Sequence, residues 1–160
     1  MERLYTLLLL LKMVLSFQDK SKESCVSRCC CCDAGWVEFR GFCYYFSTTV
    51  AGSWVSARKT CLSQGSDLTS VHSLEEQDFL NDWMERINES FGTAYFWNGA
   101  TDKKKEGSFK WCDKTSWGYT NWLENEPNEY GEENCVEMYS SGKWNDLNCF
   151  SPGHRYICKK

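Results

Sequence analysis

Eleven cysteines lie within 160 residues, and no other feature restricts the fold of this chain as much. Such a density suits an oxidising compartment, where thiols persist as disulfides. Their placement is uneven. Cys25, Cys29, Cys30, Cys31 and Cys32 crowd one short stretch, whereas Cys43, Cys61, Cys112, Cys135, Cys149 and Cys158 are scattered. Consecutive Cα atoms sit about 3.8 Å apart, below the roughly 4.4–6.8 Å that a disulfide spans. Neighbours in the cluster therefore do not pair with each other, and spacing alone does not fix the connectivity of the rest.

The N-terminus agrees with an oxidising destination. Arg3 supplies a basic start, Leu4 to Leu11 an apolar run, and Val14 and Ser16 are small enough for cleavage after Ser16. This is signal-peptide anatomy over residues 1–16, and it predicts a secreted, extracellular protein. The run is shorter than the roughly 20 apolar residues that a membrane span needs. Asn88–Ser90, "NES", is a glycosylation sequon usable only along the secretory route. A net charge of −4 with no basic block argues against nucleic acid or anionic lipid as a partner.

Three parts follow from composition: the leader 1–16, a polar and then cysteine-rich segment 17–31, and one domain over 32–160. Within the domain, "CYYFS" (43–47) has strand composition. Residues 53–65 read as a helix, with Trp54, Ala57 and Cys61 on one side and Gly65 as its stop. "LTSV" (68–71) reads as a short strand. A second helix starts at Ser73, with Glu76 completing a capping-box pattern. Phe79, Leu80, Trp83, Met84 and Ile87 then form one apolar stripe that predicts core packing. Beyond Thr93 no helical period remains. Five tryptophans and four cysteines there predict an ordered, pinned loop region.

One stretch of that region, "ENEPNEYGEEN" (124–134), holds five glutamates and no positive charge. Either water screens these acids or a cation neutralises them. Ca²⁺ takes about 6–8 oxygen ligands, and the carboxylates and amides of this stretch are oxygen donors of that kind.

The flanking residues choose between the two. "CDAGWVEFRGFCYYFS" (32–47), "ARKTCLSQGSDLTSVHSLEEQDFL" (57–80), "FWNGATD" (96–102), "EPN" (126–128), "ENC" (133–135), "WND" (144–146) and "YIC" (156–158) resemble, in order, the motifs of a long-form C-type lectin domain. Asp33 stands where a proline is usual, and Asn98 where an apolar residue is commoner. The resemblance is greatest to secreted single-domain members. It implies an α+β fold with two helices, small antiparallel sheets and a long calcium-binding double loop. It also implies three disulfides, Cys32–Cys43, Cys61–Cys158 and Cys135–Cys149.

The same resemblance implies that Glu126, Asn128, Glu133, Asn145 and Asp146 hold Ca²⁺ and bind sugar hydroxyls. The order Glu-Pro-Asn goes with mannose, fucose and N-acetylglucosamine, and Tyr130 is an aromatic placed to touch the sugar. Asp102, Glu106 and Glu133 match an auxiliary metal site, from whose usual Asp residues Glu129 and Asn134 depart. The expected function is calcium-dependent glycan recognition of the kind used in innate defence; the alternative is a lectin-like domain that binds protein or ice. Catalysis is not expected. Glu126 and Glu133 sit among acids and amides rather than in the apolar setting that a glycosidase acid needs, and neither G-x-S-x-G nor H-E-x-x-H occurs.

Those three bridges leave Cys25, Cys29, Cys30, Cys31 and Cys112, an odd number, unpaired. Four thiolates on zinc are a poor fit to an oxidising route. Cys112 is either a small buried residue or a link to a second chain. A disulfide-linked homo-oligomer is expected, because linking weak sugar sites raises avidity by about 10²–10⁴. Non-reducing electrophoresis should show a dimer or larger species that collapses to monomer on reduction; a single monomer band would refute this.

Overall fold

The computed structural model describes residues 32–160. The leader and the cluster Cys25, Cys29, Cys30 and Cys31 lie outside the described residues. Among the described residues, no helix is long and apolar enough to cross a membrane.

Strands β1 (Val37–Phe39) and β2 (Phe42–Phe46) form a hairpin. Helix α1 (Trp54–Ser63), strand β3 (Asp67–Leu68) and helix α2 (Leu74–Phe91) follow, and then β4 (Phe96–Thr101), β5 (Lys110–Trp111), β6 (Cys135–Met138), β7 (Trp144–Leu147) and β8 (Arg155–Lys159). The strands pair antiparallel, as the resemblance implies, and one parallel joint links them into an eight-stranded mixed sheet with path β1-β2-β8-β4-β6-β7. The joint is the parallel pairing of β4 with β8 at Phe96–Arg155 and Trp97–Tyr156. The "LTSV" strand is shorter than expected: only Asp67 and Leu68 pair with β8, although the Thr69 amide still donates to the Ile157 carbonyl.

Both helices start at serine caps. The Ser53 hydroxyl accepts from the Ser56 amide while the Ser56 hydroxyl accepts from the Ser53 amide, a capping box made by two serines. At α2, Ser73 accepts from the Glu76 amide at 3.2 Å. The expected return bond from the Glu76 side chain is not made. That carboxylate turns inward, accepting from the His72 amide at 2.8 Å, the Tyr44 hydroxyl at 2.5 Å and Lys159 Nζ at 2.6 Å. Glu76 and Lys159 are both buried, so each neutralises a charge that would be costly alone.

Of the apolar stripe on α2, Leu80 and Met84 are fully buried, and Phe79, Trp83 and Ile87 pack against the same core. Asn98, the departure from apolar pattern on β4, is buried; its carbonyl accepts from the Trp54 indole and its side chain from the Ala100 amide. Gly99 must lack a side chain, since a Cβ would lie 2.6 Å from the Leu68 carbonyl oxygen and 2.9 Å from Cys112 Sγ.

The three bridges expected from the resemblance are present: Cys32–Cys43, Cys61–Cys158 and Cys135–Cys149, with Cα separations of 5.6, 5.4 and 5.1 Å. Each is worth about 2–4 kcal/mol by the usual loop-closure argument. Cys112 is the one cysteine outside a bridge among the described residues. Its thiol faces Asp67 Oδ1 at 3.1 Å, and burial pushes its pKa up. An inward-facing thiol is a poor nucleophile, and Cys112 packs partly buried against the core, closer to the small inward residue than to a surface link.

The buried Glu76–Lys159 pair generates a prediction. Glu76→Ala leaves Lys159 charged and dry, and should cost about 3–5 kcal/mol. Adding Lys159→Met should recover much of that loss, as read by chemical denaturation.

Candidate functional site

The candidate site is built on the edge strand β7 and on the loop 112–134 between β5 and β6. Trp144 begins β7 and is completely buried. Its indole donates to Gln77 Oε1 on α2 at 2.8 Å and meets Trp111, Trp117, Tyr119 and Trp122 at ring-centroid separations of 5.7, 6.3, 5.8 and 5.7 Å. Its backbone accepts from the Leu123 amide and donates to the Asn121 carbonyl. The loop is thus pinned to the core just before the acidic stretch begins.

Successive side chains of a strand leave on opposite faces. Trp144 and Asp146 therefore turn one way, and Asn145 turns the other. The Asp146 carboxylate is buried and accepts the amides of Asn128 and Glu129, each at 3.1 Å. Glu129 adopts φ 51°, a left-handed conformation that aims two successive N–H groups at one anion. The Glu126–Pro127 peptide is cis. Asn128 Nδ2 donates to Glu126 Oε1 at 2.8 Å, and the Tyr130 amide donates to both Asn128 Oδ1 and Glu133 Oε2 at 2.9 Å.

The structure thus brings Glu126, Asn128, Glu133 and Asp146 into one hydrogen-bonded group. Asn145 stands beside it, with Nδ2 donating to Glu137 Oε1 at 3.0 Å. Tyr130 is 88% exposed, at the tip of the loop.

The acids of this group crowd one another. Glu126 is pushed up to about 7, first by desolvation and then by the hydrogen bond and charge of Asp146. Its Oε2 has no solvent contact and no partner. Glu133 is also raised, by desolvation first and then by the charges of Asp146, Glu129 and Glu137. Among the described residues no three acidic, histidine or cysteine side chains form a metal cage by themselves. The donor set is instead mixed, three carboxylates and two amides, all oxygen ligands of the kind a hard cation takes. The unpartnered Glu126 oxygen and the mutual repulsion fit a bound cation.

A second acidic group lies next to it. Asp102 is buried; its Oδ2 accepts from the Gly107 amide at 2.8 Å, and its Oδ1 has no partner. Glu106 is raised by desolvation and then by Asp102 and Glu129. Glu129, which departs from the family's usual Asp, is brought to this pair by the structure and carries a buried, unpartnered Oε2. Asn134 contributes its backbone carbonyl to Thr101 Oγ1 at 2.6 Å.

Glu137 carries no mark in the sequence beyond being a lone acid within "CVEM". It lies in a strand whose four residues are all buried, and His154, expected from the sequence to be structural, is buried against it.

Asn88, in the sequon, is engaged by its neighbours. Its Nδ2 donates to the Ala94 carbonyl at 3.1 Å, and its Oδ1 accepts from Arg155 Nη1 at 2.7 Å.

Comparison with known proteins places this geometry in a family. The Lectin C-type domain profile matches residues 50–160. The mouse low affinity immunoglobulin epsilon Fc receptor is 39% identical over 133 residues, covering 82% of this chain and 38% of that protein. The chain therefore spans well under half the length of that relative. Among solved structures, the cow C-type carbohydrate-recognition domain of CD23, determined in the presence of GlcNAc2Man3 oligosaccharide, superposes with a TM-score of 0.74 at 41% identity, covering 82% of this chain and 97% of that one. A calcium-independent type II antifreeze protein superposes with a TM-score of 0.73 at 30% identity, covering 84% and 97%. The chain belongs to the C-type lectin domain family.

The Glu126 shift sets a pH dependence. A carboxyl raised above its ordinary value holds its proton until about pH 7, so a cation must displace that proton at lower pH. Calcium affinity should therefore weaken as pH falls through 7. In metal-free protein the sign is opposite for stability. The raised group contributes stability below its unfolded value near 4.3, and that contribution is lost as pH rises through about 7. Calcium titrations and thermal melts from pH 8 to 5 check both.

Proposed function

We propose that this domain binds carbohydrate through a calcium ion held by Glu126, Asn128, Glu133, Asn145 and Asp146, with a preference for mannose, fucose or N-acetylglucosamine. The observation that carries the reading is the hydrogen-bonded group in which Asn128 links Glu126 to the buried Asp146 carboxylate and the Tyr130 amide joins Asn128 to Glu133, beneath an exposed loop tip. Calcium, when bound, supplies open coordination positions for adjacent sugar hydroxyls, because five side chains do not complete its roughly 6–8 ligands. Glu126 and Glu133 accept protons in hydrogen bonds from those hydroxyls, and the amides of Asn128 and Asn145 donate to them. Such charge-assisted bonds are directional, so the order of acceptor and donor selects the hydroxyl pair. Tyr130 offers an apolar ring to the sugar face. The oligosaccharide named with the cow CD23 domain contains mannose and N-acetylglucosamine, in line with this preference.

Asp102, Glu106 and Glu129 are proposed to hold an auxiliary cation, on the strength of the unpartnered buried oxygens of Asp102 and Glu129 and the crowding that raises Glu106. The domain is read as a non-catalytic, extracellular binding module, assembled by disulfides through the cysteines ahead of residue 32. The sequon Asn88 is proposed as its glycan acceptor. The likeness to an antifreeze protein favours a second reading, a calcium-independent binder of ice or protein.

Retention on immobilised mannose in calcium, with elution by chelator, separates the two; a protein that passes through in calcium supports the second. Asp146→Ala should abolish retention while the three disulfides preserve the fold. Glu126→Gln with Asn128→Asp should move preference toward galactose by reversing acceptor and donor. Wild-type sugar binding by Asp146→Ala would overturn the site.

A further inference from the structure

Behind Asn145 lies a buried polar group that the sugar site does not itself use. Asn145 on β7 and Glu137 on β6 are direct cross-strand partners, so their side chains share a face. Glu137 is 3% exposed. Its Oε1 accepts from Asn145 Nδ2 at 3.0 Å, and its Oε2 faces His154 Nε2 at 2.5 Å. The imidazole is fixed in turn. It stacks on the fully buried Trp97 with ring centroids 4.2 Å apart and 26° between planes. Tyr95 lies near the same imidazole, with ring centroids 6.1 Å apart, and is itself packed on Tyr139 at 4.6 Å. Trp97, His154, Glu137 and Asn145 thus form a chain of contacts running from the core to the edge of the site.

The chemistry of a carboxamide gives this chain a purpose. An amide side chain has two nearly isosteric ends, an acceptor oxygen and a donor nitrogen. A cation accepts only the oxygen. Nothing intrinsic to asparagine decides which end faces outward. An ionised carboxylate accepts and does not donate, so Glu137 binds the Asn145 nitrogen and repels the oxygen. The oxygen is left on the branch turned away from Glu137, and the second N–H remains for a ligand. With Nε2 donating to it, the Glu137 carboxylate is held where it can exert this choice.

We propose that Glu137, held in place by His154, is a positioning residue that fixes the Asn145 carboxamide with its oxygen toward the calcium and its free N–H toward the sugar. This rests on the calcium-dependent reading above and adds to it the orientation of one ligand. Partners behind metal ligands typically matter by about 10–100-fold in metal affinity.

The test compares Glu137→Met, Glu137→Gln and His154→Phe in the full chain. Calcium affinity is measured by calorimetry, and the Asn145 side-chain NH₂ signals by ¹⁵N NMR without metal. Methionine keeps the volume of Glu137 and removes both acceptors. Its calcium affinity should fall by roughly 10–100-fold, and its Asn145 NH₂ signals should move upfield as the bond to a carboxylate is lost. Glutamine keeps one acceptor and should recover most of the affinity. His154→Phe keeps the stack on Trp97 and should give a smaller loss, and it serves if Glu137→Met does not fold. Wild-type affinity in both Glu137→Met and His154→Phe, or unmoved Asn145 signals in Glu137→Met, would overturn the proposal. If the wild-type chain binds no calcium, the functional reading fails, while the NMR signals still decide the amide orientation.

Discussion

Trp144 is the contact on which the rest of this molecule depends. The long loop between β5 and β6 contains no helix and only one isolated bridge, so its order must come from something other than a backbone ladder. A buried indole supplies it. Four aromatic rings from the loop and β5 close around Trp144, and its N–H is satisfied by Gln77. Burying a side chain of this size is among the largest single gains available to a core. The two residues after it, Asn145 and Asp146, inherit a fixed position from that burial.

From this anchor the polar site is assembled at short range. Asp146 receives two loop amides, and those amides carry Glu126, Asn128 and Glu129 with them. The Cys135–Cys149 bridge ties β6 to the turn after β7, so both sides of the site are held to the same pair of strands. Crowded acids are tolerated here because the scaffold beneath them is apolar, aromatic and disulfide-linked. The electrostatic cost sits at the tip, where water and a ligand can offset it.

The sequence makes some of this legible and hides the rest, for reasons that differ residue by residue. The α2 stripe and the Ser73 cap are local patterns, and both appear as read. The acidic stretch is legible as chemistry, and the resemblance turned it into a site. Glu76 misleads because its partners Tyr44 and Lys159 lie 32 and 83 residues away, beyond any local rule. The Ser53–Ser56 box is missed because serine is a weaker marker than glutamate at the third helical position. Glu137 and its contact with His154 are invisible for the same reason as Glu76: their meaning lies in a cross-strand register and a β4–β8 pairing that no periodicity reports.

The division of labour along "WND" has a consequence for how such a domain can change. Folding is carried by Trp144 and its aromatic box, while recognition, on the function proposed above, falls to exposed or half-exposed side chains between Glu126 and Glu133. On that reading, substitutions in the strip would alter which ligand is chosen and leave the core untouched, so new specificities would be reachable by single steps that do not first have to be compensated by stabilising ones. Asp146 is where that freedom ends. It is both a loop fastener and a member of the site, and any change there is felt in stability and in recognition at once.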